Sequence, residues 1–386
     1  MKTWHFSESA YHHFPPEEEY ESVRVTMPSR HYDPKIGADL YHRFIDEWCL
    51  ADEEGLNVMI NEHHQTPTCV DPAAPIMLGI LARVTKKARL LILGNPIANR
   101  SQPVRVAEEM AMVDVISRGR VECGFVKSVP YEVAAGNSLP VRMNERMWEA
   151  HDLILKAWTS HDGPFSFEGN FFHHRMVNVW PRPYQSPHPP IWVASMSPFG
   201  ARPVGERGYV LASFLTGYGH TRNVWAGYRD GWRRGGHPGE PPLDRFAYAG
   251  LVYTGETDAE GRAGAEKLLW YLGHNKVPLH FRNPPGYNHV SANVAALRTG
   301  RIGRNADVKP DLDEQIEKGV IFCGSPDTVY KQIKKLHDHV GGIGHLLSMG
   351  QAGYLDHEET AKSIRLFARE VQPRLDELPL PEQAAA

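Results

Sequence analysis

Residues 88–125 read ARLLILGNPIANRSQPVRVAEEMAMVDVISRGRVECGF, and this stretch decides the fold. Ala88–Leu93 is a short apolar run of strand-forming character, broken by Gly94-Asn95-Pro96. Pro103–Ser117 then carries apolar residues at helical spacing, with Val104, Ala107, Ala111 and Val115 near one face. Arg118-Gly119 turns the chain into a second short run, Arg120–Phe125. Two apolar strands separated by a helix form a βαβ unit, whose strands lie parallel and covered on both sides.

The same alternation extends in both directions. Strands are predicted over 2–7, 57–62, 191–195, 209–215, 245–254 and 344–349. Helices are predicted from about Ala38 to Gly55, from an Asp71-Pro72 start, and over 143–158, 199–207, 221–234, 258–272, 327–340 and 359–371. Asp71 reads as an N-cap with proline at the first helical position. Eight strands interleaved with helices fit an α/β chain folded as one (β/α)₈ TIM barrel over 1–386, with insertions at its C-terminal mouth over about 8–37, 160–188 and 273–318, the fold that the family resemblance given below implies. An open doubly wound sheet uses the same units, but no GxGxxG follows a strand. No repeat of fixed period is present.

Composition narrows the function classes. With 42 Lys and Arg against 46 Asp and Glu, the net charge is −4, so no broad basic surface for nucleic acid is expected. No run of about 18 apolar residues occurs, and the first residues lack a signal-peptide pattern, so neither membrane insertion nor export is expected. The four cysteines, Cys49, Cys69, Cys123 and Cys323, include no CxxC pair; a reduced, cytoplasmic protein fits them. There is no G-x-S-x-G elbow of a hydrolase.

Four places carry chemistry. Glu62-His63-His64 ends an apolar strand, where barrels place catalytic groups, and histidine exchanges protons near neutral pH. Alternation puts Glu62 and His64 on one side and Asn61 and His63 on the other. The plainer reading is a histidine pair that caps the strand; adjacent histidines point apart, which disfavours a shared metal ion, and none is expected. Gly94-Asn95-Pro96 lets a planar ring approach closely, and Asn95–Pro96 is a candidate cis bond; an ordinary trans turn is the alternative. Lys127, just past the strand 120–125, is a candidate for holding an anion, or else a solvated cation. Ser195-Met196-Ser197 precedes a helix start, so its N–H groups and hydroxyls suit a phosphate, or serine simply caps the helix.

NEHHQT at 61–66, PVRVAEEMAMVDVISRGRVECGF at 103–125, VWPRPYQSPHPPIWVAS at 179–195 and CGSPDTVYKQI at 323–333 together resemble the luciferase-like flavin monooxygenase family, as does SIRLFAREVQPRL near the end. The resemblance implies reduced FMN, rather than FAD or the deazaflavin F420, lying across the barrel mouth and reacting with O₂. His63 matches the family's active-site histidine and is the expected acid/base, with Glu62 beside the ring. Asn95 and Pro96 would lie beneath the ring and Phe6 on its wall. Lys127, Tyr131, Arg146 and Ser195, Met196 and Ser197 would hold the phosphate. Arginine is frequent where Lys127 stands, so the bidentate fork is lost here. Implied partners are a small organic substrate, a separate NAD(P)H:flavin reductase and a second copy of the chain, paired through the 103–117 helix. A deazaflavin-dependent dehydrogenase and a non-catalytic flavin-binding protein are the two alternatives on this scaffold. The aromatic and histidine clusters at 4–6, 12–14, 171–174 and 287–289, and the acidic run 17–19, are assigned no role beyond Phe6.

Overall fold

The computed structural model describes residues 1–16, 19–274, 276–288, 290, 293–294 and 310–378. Its strands in chain order are β1 (Lys2–Ser7), β2 (Asn57–Ile60), β3 (Leu90–Asn95), β4 (Val121–Phe125), β5 (Phe165–Glu168), β6 (His173–Val177), β7 (Ile191–Ala194), β8 (Val210–Phe214), β9 (Phe246–Thr254), β10 (Ile321–Gly324) and β11 (His345–Gln351). β1, β2, β3, β4, β7 and β8 pair in parallel one after the next; β8 pairs with β9, β9 with β11 and β11 with β1. The ring closes on eight strands, and they are the eight that the sequence predicts.

Alternation sorts their side chains. Trp4, Phe6, Met59, Leu91, Leu93, Trp192, Ala212, Ala249 and Leu347 fill the lumen, all nearly or fully buried. Val58, Ile60, Ile92, Cys123, Val193 and Leu211 face the helices. Lumen space is tight at β4: a Cβ on Gly124 would come within 2.4 Å of Leu93 and 2.5 Å of the Ile92 carbonyl. The first covering helix, Pro34–Glu53, is capped by the Asp33 carboxylate on Lys35 N–H and buries Leu40, Phe44, Trp48 and Ala51. Helix Pro103–Ser117 ends at Arg118, whose φ of 57° is left-handed.

Several predicted details are corrected. Asp71 does not cap the next helix, which runs Ala74–Val84 with Ala73 at the cap position; Pro75 is the proline in its first turn. The Asp71 side chain is instead buried. β2 stops at Ile60, because the Asn61 side chain bonds to Glu8 and the chain leaves the sheet. Asn95–Pro96 is not cis: the cis bonds among the described residues are Trp180–Pro181 and Ser186–Pro187. Trans is the lower-energy isomer for X–Pro, and here the chain passes straight into a 3₁₀ turn closed by Asn99 N–H on the Pro96 carbonyl at 2.8 Å. β10 is a strand the sequence reading does not contain. Leu251 pairs with Met349 on one edge and Ile321 on the other, so β10 continues the edge that β8 leaves.

The insertions divide by position. The chain after β1 starts at the C-terminal rim and ends where the helix begins at Pro34. The 160–188 excursion joins a helix to β7 and forms the antiparallel β5–β6 hairpin. Its Phe171 and Phe172 pack on Arg142 and Arg146, and Glu149 accepts their N–H groups, so it lies along the outside of helix Met143–Thr159. Helix Asp258–His274 packs against β9 and β10, and its Ala265, Leu268 and Leu269 join the buried cluster that holds Leu251 and Met349. Beyond it, Ser22 donates to the Lys276 carbonyl at 2.6 Å, and Tyr287 donates to the Ser128 carbonyl at 2.5 Å. The rest of the predicted 273–318 insertion up to Pro310 lies largely outside the described residues, as do His289, Glu17 and Glu18.

Candidate active site

The loops after β2, β3 and β4 meet at the rim. Glu62 has a fully buried side chain, and its Oε1 accepts from His64 Nε2 at 2.9 Å and from Arg100 at 2.5 Å. Its other oxygen has no partner. The carboxylate raises the His64 pKa, winning over burial, which lowers it. His63 points elsewhere: its Nδ1 lies 2.9 Å from Glu132 Oε1, and the same oxygen accepts the His64 backbone N–H at 3.1 Å. Burial pushes the Glu132 carboxyl up, but the His63 hydrogen bond and charge, with the His64 N–H, outweigh it and hold the pKa below the ordinary value. Strand alternation does not extend to the motif, since β2 ends at Ile60; Glu62 and His64 are joined by a side-chain hydrogen bond, and His63 turns to Glu132.

Asn95 is fully buried at the end of β3, and neither its amide nitrogen nor its oxygen has a hydrogen-bond partner. The β3–β4 register shifts between Leu93 and Asn95, so the strand bulges here; a Cβ on Gly94 would sit 3.3 Å from Val126. Pro96 follows as the start of the 3₁₀ turn. Phe6 is fully buried and meets Phe214 edge-on at 6.3 Å across the lumen.

The proposed phosphate group is dispersed among other tasks. Lys127 Nζ sits 3.7 Å from the centre of the Tyr287 ring and 3.5 Å from the Tyr287 carbonyl, and burial pulls its pKa down to about 8. Tyr131 Oη accepts from Arg24 Nε at 2.6 Å. Arg146 donates to the Ala98 carbonyl at 2.8 Å and to that of Arg100 at 3.2 Å, fastening the β3 loop. Ser197 caps helix Pro198–Glu206, accepting Gly200 N–H at 3.1 Å; Ser195 Oγ donates to the Ser197 carbonyl at 3.2 Å. Met196 is 60% exposed, so this turn is open to solvent. Because β2, β3, β4 and β7 are sheet neighbours, Glu62, His63, Asn95, Lys127 and the 195–197 turn lie along one arc of the rim.

Glu132, Arg100, Arg24 and Glu8 escape the sequence reading. Arg24 is buried in the loop after β1 and donates to Thr68 at 3.0 Å as well as to Tyr131; Glu8 accepts from Asn61 at 3.0 Å. Glu132 and His63 are 69 positions apart, and nothing in either local pattern marks the pairing.

The family model described as luciferase-like monooxygenase matches residues 25–341. The chain is 30% identical over 170 residues to the oxygenase component of flavin-dependent trigonelline monooxygenase from Acinetobacter baylyi, covering 43% of this chain and 46% of that protein. It is 24% identical over 352 residues to 2,5-diketocamphane 1,2-monooxygenase 2 from Pseudomonas putida, covering 84% and 91%. The match spans less than half the length of the first curated relatives, 44% and 46%. The fold is shared with the oxygenating constituent of 3,6-diketocamphane monooxygenase from Pseudomonas putida, a type II Baeyer–Villiger monooxygenase solved with FMN: TM-score 0.74, 21% identity, 99% of each chain.

Proposed function

The chain belongs to the luciferase-like monooxygenase family, and from that premise we propose that it is an oxygenase component that takes up reduced FMN and puts one atom of O₂ into a small organic substrate. The observation that carries this reading is Asn95, a buried amide with both polar atoms unanswered at the catalytic end of a barrel strand. Buried polar groups are almost always paired, so an orphaned donor and acceptor side by side fit a ligand with both kinds of edge. The pyrimidine edge of a flavin is such a ligand, and the unpaired Glu62 oxygen adds a second acceptor.

When bound, the reduced flavin supplies the electrons that activate O₂. Asn95 and Glu62 would orient the ring, and Phe6 would form part of its apolar wall. The turn at Ser195, Met196 and Ser197 would meet the phosphate with its hydroxyls and the start of helix Pro198–Glu206, the Ser197 N–H leaving its present acceptor, Ser195 Oγ. Lys127 would add charge on leaving Tyr287. His63 would pass protons at Nε2, and exclusion of water would protect the reaction.

A separate reductase is supported by relatives named as oxygenase components. A second copy of the chain would cover the exposed Ile76, Ile80 and Val84 of one helix and Met112, Val115 and Ile116 of the helix packed beside it. All four cysteines are free, in keeping with the cytoplasm, and no described helix is long and apolar enough to cross a membrane. Alicyclic ketones are the first substrates to try, given the diketocamphane relatives.

The test mixes the protein anaerobically with FMNH₂, then admits ¹⁸O₂ with and without a ketone panel. One ¹⁸O atom in a product that forms only with the protein supports the reading. FMNH₂ binding with no labelled product from any member, and reoxidation no different from free flavin, would overturn it.

A further inference from the structure

We propose that Glu132 is the positioning residue for His63, fixing its ring so that Nε2 is the nitrogen that handles protons, while His64 is held as scaffold; this rests on the oxygenase reading above. The two adjacent histidines are gripped by opposite ends. His63 meets a carboxylate through Nδ1, and its Nε2 makes no hydrogen bond among the described residues. His64 meets a carboxylate through Nε2 instead, and that carboxylate is also tied to Arg100.

Glu132 can only accept. It is 2% exposed, and a single oxygen takes both the His63 ring and the His64 backbone N–H. The depressed carboxyl pKa agrees with an ionised group. An ionised carboxylate has no proton to give, so the hydrogen between it and His63 resides on Nδ1. Nε2 of the neutral ring then carries a lone pair. It can take a proton, leaving an imidazolium paired with the Glu132 carboxylate, and return that proton in the next step. Free imidazole gives no such assurance about which nitrogen is bare. Glu132 comes from the short helix Pro130–Ala135 after β4, which sets the loop after β2 and the loop after β4 in register through this one side chain.

The tautomer is read directly by long-range ¹H–¹⁵N spectra of labelled protein at neutral pH, with the His63 signal assigned by its loss in His63→Ala. The wild type should show Nδ1–H with bare Nε2. Glu132→Ala should move His63 towards Nε2–H and lower kcat about 100-fold, at the low end of what a proton-transfer group contributes, with FMN Kd and substrate KM within about twofold. Glu132→Gln, whose amide oxygen still accepts, should keep the Nδ1–H signal and recover about tenfold of the lost kcat. An Nε2–H ring in the wild type would overturn the assignment, as would unchanged kcat in Glu132→Ala. Equal losses in Ala and Gln variants with the wild-type tautomer in both would do the same. Should Glu132→Ala fail to fold, the wild-type and Gln spectra still decide. The spectra need no turnover, so they separate from the ¹⁸O experiment, which judges the oxygenase reading alone.

Discussion

The two ends of the barrel are both polar, yet the polar cluster at each is paired to a different degree. Near the N-terminal end, Trp4 Nε1 donates to His345 Nδ1 at 3.1 Å, and the other His345 nitrogen donates to the Asp244 carbonyl at 3.1 Å. Burial pulls the His345 pKa down to about 3, so this ring stays neutral. Trp192 donates to Glu122, whose second oxygen is taken by Arg89. None of the polar side-chain atoms of Trp4, Trp192, Glu122 and His345 is left unpaired. At the C-terminal rim, Asn95, Glu62, Asp71, Asn99 and Arg100 each keep at least one buried polar atom without a partner. An unpaired buried group costs about 1–3 kcal/mol; at the floor Thr3 Oγ1 and Arg245 Nε are such atoms too, scattered around a paired Trp4–His345–Trp192–Glu122 cluster, whereas at the rim they gather around Glu62 and Asn95. One sequence builds both ends; in the proposed function a ligand answers the atoms gathered at the rim.

If that contrast is right, substitutions at the rim alter function with little change in stability, and substitutions at the floor do the reverse. The largest effect is expected for His63→Ala. Turnover should fall about 10²–10⁴-fold, with FMN affinity and the melting temperature close to wild type, checked by steady-state oxygenation, calorimetric binding and thermal melts. An unchanged rate removes His63 from the chemistry. Trp192→Ala is the counterpart at the floor. Removing a fully buried indole that meets Trp4 edge-on at 5.3 Å should cost about 3–5 kcal/mol, seen in urea denaturation. The fraction still folded should bind FMN as tightly as before. A floor variant that lost affinity without losing stability would erase the distinction between the two ends.

The floor and the frame were far more legible than the rim. Eight apolar runs separated by helix patterns suffice for parallel βα units, because burial and period are local properties of the chain; closure into a barrel rests on the family resemblance and the missing GxGxxG. β10 escaped because Ile321–Gly324 is only four residues long and leads directly into a helix start at Ser325-Pro326. Asn61-Glu62 read as strand because polar residues continued the alternation, whereas the sheet ends when Asn61 finds Glu8. At the rim, Glu62, His63 and Asn95 could be named from strand ends. Their partners could not: Arg24 and Tyr131 are 107 positions apart, and Arg100 and Glu62 are 38 apart. No period links such pairs; only barrel closure brings them together. Lys127 and the 195–197 turn were read by type alone, and their present contacts, to Tyr287 and within the helix cap, depend on tertiary neighbours.

The smallest expected effect tests an unpaired atom at the rim itself. Asp71 is 4% exposed, one of its oxygens is unpaired, and burial, helped by the charge of Glu62, raises its pKa to about 7. Its unfolded value is near 3.8. A carboxyl raised in the folded state favours folding most below the unfolded pKa, and that contribution is lost as pH climbs through about 7. Asp71→Asn keeps the shape without the titration. It should therefore match the wild type near pH 4 and be more stable by about 1–3 kcal/mol at pH 8, measured by urea denaturation across that range. A similar substitution at the floor, Glu122→Gln, has no such charge to relieve, because Arg89 and Trp192 already answer both oxygens. If Asp71→Asn instead lost stability at pH 8, the carboxylate would have an unseen partner, and the rim would be as self-sufficient as the paired cluster at the floor.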